Sequence, residues 1–96
     1  MRLAYHPLVQ RDVNLILGHY DRILPRLGDE FWTELMGLVE LVSAKPQRFH
    51  TVDRGLRRAN MRRFPYHLLF REKTDGVRVI VVRHNRRHPS YGTGRR

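Results

Sequence analysis

The sequence predicts an α+β fold in the order β-α-α-β-β-β, with an α-helical hairpin packed on one face of a small, mainly antiparallel sheet. Three observations predict it. Apolar residues recur at helical spacing through the front half, at 13, 16, 17, 20, 23 and 24 and again at 31, 35, 38 and 42. Behind Pro46 the period changes to the alternation of strands and ends in the β-branched run VRVIVVRH at 77–84. Charge divides at the same place. Residues 48–96 hold 13 Arg and one Lys against three acids, +11, while residues 1–47 hold four Arg and one Lys against six acids, −1.

The elements follow in order. Residues 2–5 form a short strand with Leu3 and Tyr5 on one face. Pro7 suits the first turn of a helix. The stripe Val13, Ile16, Leu17, Tyr20, Ile23 and Leu24 carries that helix, and Arg11, Asp12, Asn14, His19 and Arg22 fall mostly outside it. Pro25 and Gly28 punctuate its end. Asp29 is a suitable N-cap for a second helix, and Glu30 suits its dipole. Phe31, Leu35, Leu38 and Val42 mark its stripe, Trp32 and Val39 widen it, and Lys45-Pro46 closes it. The short connection makes the two helices an antiparallel hairpin.

Residues 47–55 read as a loop. Residues 56–63 (LRRANMRR) are the second strand, with Ala59 and Met61 on one face. Alternation there puts Arg58 and Arg62 on one face and Arg57 and Arg63 on the other. Residues 65–71 (PYHLLFR) are the third, and Asp75-Gly76 is a hairpin turn. Residues 77–84 are apolar on both faces at the centre, which places that strand inside the sheet. Residues 85–96, with Pro89, Gly92 and Gly94, form an irregular basic tail. One sheet face receives the helices. The other face and the tail are left to display arginine.

Size and composition bound the function. A chain of 96 residues is one small domain, 1–96, and 41% hydrophobic content is enough for a core. There is no Cys, which excludes disulfides and thiolate metal sites and points to a reducing, cytoplasmic home. No apolar run is long enough for a membrane span, and no leader pattern opens the chain. His6, His19, His50 and His67 are scattered and show no metal-ligand spacing, so neither metal nor cofactor is expected. A net charge of +10 calls for a polyanion or an acidic protein partner. The preference for Arg over Lys fits bidentate contact with phosphate or carboxylate.

Four cationic clusters are candidate sites. Arg57 and Arg58 open the second strand, Arg62 and Arg63 close it, Arg83 and His84 end the last strand, and Arg86, Arg87, His88 and Tyr91 lie in the tail. RNA cleavage through a 2′-hydroxyl needs proton transfer and cations around a phosphate. His84, His88 and Tyr91 have the chemistry for the first, and Arg62, Arg63, Arg83 and Arg87 for the second. The plainer reading is a solvated basic surface. The acids Asp29, Glu30, Glu34 and Glu40 look like a solvated helical face.

Several strings resemble the RelE/ParE superfamily, the toxins of type II toxin–antitoxin modules: YHPLVQRDVNLILGHY, LGDEFWTEL, LRRANMRRFPYHLLFRE and VRVIVVRHNRRHPSY. The resemblance runs nearly end to end and implies the fold described above. It implies a cognate antitoxin that wraps the toxin, docking on the cationic sheet face and the apolar groove beside the helices. RelE-like members cut mRNA in the ribosomal A site, and ParE-like members inhibit DNA gyrase. For a RelE-like chain the matching site positions are Arg62 or Arg63, Arg83 and Tyr91. Arg57, Arg58, His84, Arg86, Arg87 and His88 are then binding residues. RelE-like sheets also carry lysines, whereas this chain has only Lys45 and Lys73, and its RRFPY string resembles members grouped with ParE. The lean is therefore to gyrase inhibition, with ribosome-dependent mRNA cleavage as the alternative and a non-toxic basic nucleic-acid-binding domain as a third reading.

Overall fold

The computed structural model describes residues 2–96. Strand β1 (Arg2–Tyr5) leads into helix α1 (Leu8–Ile23) and helix α2 (Pro25–Ala44). Strands β2 (His50–Thr51), β3 (Arg57–Asn60), β4 (Tyr66–Lys73) and β5 (Gly76–His84) follow. The sheet order is β1-β5-β4-β3-β2. β5 pairs antiparallel with β4 and parallel with β1, so the last strand is internal, as its two-sided apolar pattern requires.

The hinge between the helices is one residue. Pro25 excludes helical backbone at the residue before it, and Leu24 is extended at φ −161°, ψ 120°. The same proline then occupies the first turn of α2, where its missing N–H is no loss. The second helix therefore starts at Pro25 and not at Asp29. Gly28 lies inside it, at a point where a side chain would strike the Asp21 carboxylate.

The helical stripes hold with two changes. Ile23 and Leu24 are exposed, so the α1 stripe ends at Tyr20, while Asp12 is buried with Val9, Val13 and Ile16. On α2, Phe31, Leu35, Val39 and Val42 are buried and Trp32 remains open to solvent. Facing them across the main core are Ala59, Met61, Phe64, Tyr66, Leu68, Phe70, Val77, Val79 and Val82.

The region between α2 and β3 is more ordered than a loop, with single 3₁₀ turns at Pro46–Arg48 and Asp53–Gly55 flanking β2. The second strand is shorter than its sequence pattern. β3 ends at Asn60, and residues 61–65 turn back toward β4, so Arg62 and Arg63 do not alternate across a sheet.

A bulge sets the faces of β5. Leu69 pairs with Val81 and Phe70 with Val79, leaving Ile80 as an extra residue. Val77 and Val79 face the helices before it, and Val82 does so after it. Ile80 and Val81 turn to the opposite face, where they join Leu56 and Leu69 in a second small core covered by Tyr91. That face is not an open display of arginine. The tail is folded across it, with Tyr91 on the second core and Gly92 against Val81.

A candidate basic cleft beneath the tail

Arg83 follows the bulge onto the tail side of the sheet and is buried. Its Nε donates to His67 Nε2 at 2.8 Å. Its Nη1 donates to the carbonyls of Pro89 and Tyr91, both at 2.8 Å, with His88 at the limit of 3.5 Å. Burial and the Arg58 guanidinium both lower its proton affinity, and carbonyl acceptors hold the charge in place. Arg83 is thus the peg on which the tail hangs, its Nε and Nη1 engaged within the protein while its side chain also lines a cleft beside α1.

His67 completes that peg. Accepting from Arg83 at Nε2 fixes the proton on Nδ1, which donates to Asn85 Oδ1 at 2.8 Å. Burial pushes its pKa down to about 4, helped by the charges of Arg58 and Arg83, while the Asn85 bond opposes the shift. The imidazole is neutral at pH 7.

A second anchor ties the far end of the tail to α1. Arg95 makes a two-pronged ion pair with Asp12, at 2.6 and 3.1 Å. The same carboxylate accepts from Val82 N–H at 3.1 Å, and Arg95 donates to the Ile80 carbonyl at 3.2 Å. β1 pairs with β5 only as far as Val79, so these two side chains satisfy the edge that β1 leaves open. Gly92 allows the tail to lie close. Its φ is +78°, and an added Cβ would sit 2.7 Å from Val81.

Between α1, the end of β5 and the tail is a cleft of about 200 Å³. Four of the candidate residues line it: Arg83, His84, Arg87 and Tyr91. The His84 ring meets Tyr66 edge-on at 5.0 Å, and its Nδ1 accepts from Arg86 N–H at 3.0 Å. The Arg87 guanidinium lies over the Tyr91 ring at 4.0 Å. Asp12, Leu15, Ile16, His19 and Val82 complete the lining.

The other candidates are elsewhere. Arg62 and Arg63 line a separate depression with Asp29, Glu30, Thr33 and Glu34. The Glu34 carboxylate accepts from both backbone N–H groups, at 2.6 and 3.1 Å, and Glu30 pairs with the Arg63 guanidinium at 2.8 Å. Those two acids are therefore structural ligands of the β3–β4 turn, not a solvated face. The RRFPY string they hold drives Phe64 into contact with Tyr20 and Phe31. Arg57 donates to the Phe49 carbonyl and pairs with Glu72, and Arg58 donates to Asn60. His88 is spent on a local turn, accepting from Ser90 N–H at Nδ1.

Asp12, His19, His67, Asn85 and Arg95 were not singled out from the sequence. Asp12 did carry a signal. It stands at i+3 from Val9 and i−4 from Ile16, inside a buried apolar stripe, where an unpaired carboxylate is untenable.

No family model and no curated relative matches the sequence. A solved structure described as the chromosomal ParDE TA system from P. aeruginosa contains a chain that superposes with a TM-score of 0.78 at 17% identity, over 88% of this chain and 95% of that one. The two chains share one fold. It is the RelE/ParE-like fold that the strings in the sequence implied, with two helices on one face of a five-stranded mixed sheet.

Proposed function

We propose that this protein is the growth-inhibiting toxin of a type II toxin–antitoxin module, and that it acts by binding its target, with DNA gyrase as that target. The shared fold with a chain of a ParDE system supports the toxin reading and its corollary, a cognate antitoxin. One observation carries the mode of action. Arg83, the residue a RelE-like site would place on the scissile phosphate, is buried and has its Nε and Nη1 donors on His67 and tail carbonyls. Arg62 and Arg63 lie at a separate depression, where Glu34 takes their backbone N–H groups and Glu30 the Arg63 guanidinium, so they do not converge with Arg83 on one phosphate. General acid–base cleavage needs such convergence.

The test has two readouts from one purified preparation. Inhibition of gyrase-catalysed supercoiling with mRNA left intact in a translating extract is the expected result. New 5′ ends inside codons, appearing only during translation, would replace this reading with ribosome-dependent cleavage. Harmless expression without the neighbouring gene would leave a non-toxic basic domain.

A further inference from the structure

The cleft beside α1 has a chemistry that the fold alone does not explain. Its floor is apolar, formed by Leu15, Ile16 and Val82. Leu15 is 65% exposed, a large apolar side chain held in water. Arg11 and Arg22 stand four residues before and seven after Leu15, on the same face of α1. Arg87 lines the opposite wall and Arg86 adjoins it. Among the described residues none of these four arginines is within ion-pair distance of a carboxylate. The one acid in the cleft, Asp12, is already neutralised by Arg95.

We infer that this cleft is the target-facing site of the protein, and that it takes an acidic protein segment carrying one apolar anchor side chain. The anchor sits against Leu15 and Val82, and carboxylates on either side meet Arg11, Arg22 and Arg87. This rests on the reading of the chain as a toxin that acts by binding. The same cations would attract nucleic acid, but the two tyrosines of the cleft are already engaged or buried. Tyr91 has the guanidiniums of Arg87 and Arg95 over its ring, and Tyr66 is buried. An apolar floor with a cationic rim favours a peptide over a base.

A second apolar opening, lined by Tyr5, Val9, Val13, Trp32, Met36 and Val39, adjoins the site and shares Val82 with it, but Leu15 and Arg87 line only the cleft.

Two arms test the inference. In the first, the isotope-labelled full-length protein is titrated by NMR with a synthetic peptide of Glu and Asp flanking a Leu-Phe pair, and with a single-stranded RNA oligonucleotide. The peptide should shift Leu15, His19, His84 and Arg87 resonances at roughly millimolar concentration or below. Leu15→Glu and Arg87→Glu should each weaken it about tenfold, with unchanged circular dichroism, since both side chains are exposed. Peptide shifts elsewhere, or RNA taking the cleft in preference to peptide, overturn the proposal. In the second arm, purified gyrase replaces the peptide. The expected result is the same loss of binding in both variants, with undiminished affinity for the antitoxin. Equal gyrase binding by wild type and variants overturns the cleft as target site. Peptide binding in the cleft with no gyrase binding by the wild type removes gyrase as the target and leaves the cleft's chemistry intact.

Discussion

Arg83 and His67 form one hydrogen-bonded unit: the guanidinium Nε donates to a neutral imidazole Nε2 at 2.8 Å, with both side chains buried. Three of the hydrogen bonds that hold them, to His67 and to the carbonyls of Pro89 and Tyr91, are internal to the fold. Together they convert a bulged strand into a platform for twelve residues of tail.

Arg83→Lys is expected to destabilise the protein by about 3 kcal/mol, because one ammonium cannot bond His67 and the tail carbonyls from the Arg position. Chemical denaturation measures this. Expression of the variant should also raise proteolytic cutting within residues 85–96, seen by mass spectrometry. Unaltered stability would return Arg83 to the list of functional residues.

His67 predicts an acid dependence. Its folded pKa of about 4 lies below the ordinary imidazole value of 6.5. Between those values the unfolded chain binds a proton that the folded chain refuses, so stability falls as pH drops from 6.5 toward 4 and is unaffected above that window. The loss from this one group is about 3 kcal/mol at the lower end. His67→Gln keeps an acceptor for Arg83 but cannot titrate. Its stability should lack one proton's worth of slope across the window, measured by urea denaturation at successive pH values. Parallel slopes would mean that His67 is protonated in the fold.

Gly92→Ala is expected to cost about 1–3 kcal/mol, from a left-handed backbone and a Cβ forced onto Val81. Gly94→Ala, two residues on with open space around it, should be neutral within about 0.5 kcal/mol. Thermal melts of the pair separate tight tail packing from loose coverage. Equal melting temperatures would show that the tail does not press on the sheet.

The helices were legible because a packed helix must repeat its apolar face every three to four residues, as Phe31, Leu35 and Val42 do. The internal position of β5 was legible for a similar reason, since a strand that is apolar on both faces needs neighbours on both sides. The orientation of Arg83 was not. Strict alternation from Val77 would set Arg83 beside Val79 under the helices, and one extra residue at Ile80 reverses it. A bulge leaves no residue signature when every candidate is β-branched. The single-residue hinge was hidden by Pro25, which ends one helix and begins the next. At the site, residue types near the strand end marked the region of His84, Arg87 and Tyr91. Alternation misplaced Arg62 and Arg63, because the chain leaves the sheet before reaching them.

Asp12 and Arg95 are 83 residues apart in the chain and meet at 2.6 Å, with side chains only 4% and 12% exposed. Their value lies in closing an edge. Asp12 takes the Val82 N–H and Arg95 takes the Ile80 carbonyl, the groups a further residue of β1 would have paired. Asp12→Ala therefore removes two things at once: the counter-charge of a buried guanidinium and the acceptor of a buried N–H. Its cost should be about 3–5 kcal/mol. Arg95→Ala leaves Asp12 its bond to Val82 and opens the carboxylate to water, so its cost should be smaller, about 2 kcal/mol. In the double variant neither charge is stranded, and the losses should fall short of their sum by about 1–2 kcal/mol. A double-mutant cycle by urea denaturation measures that coupling. Strict additivity would mean that the tail end and α1 are stabilised independently, and that the open edge of β5 is protected by something other than this pair.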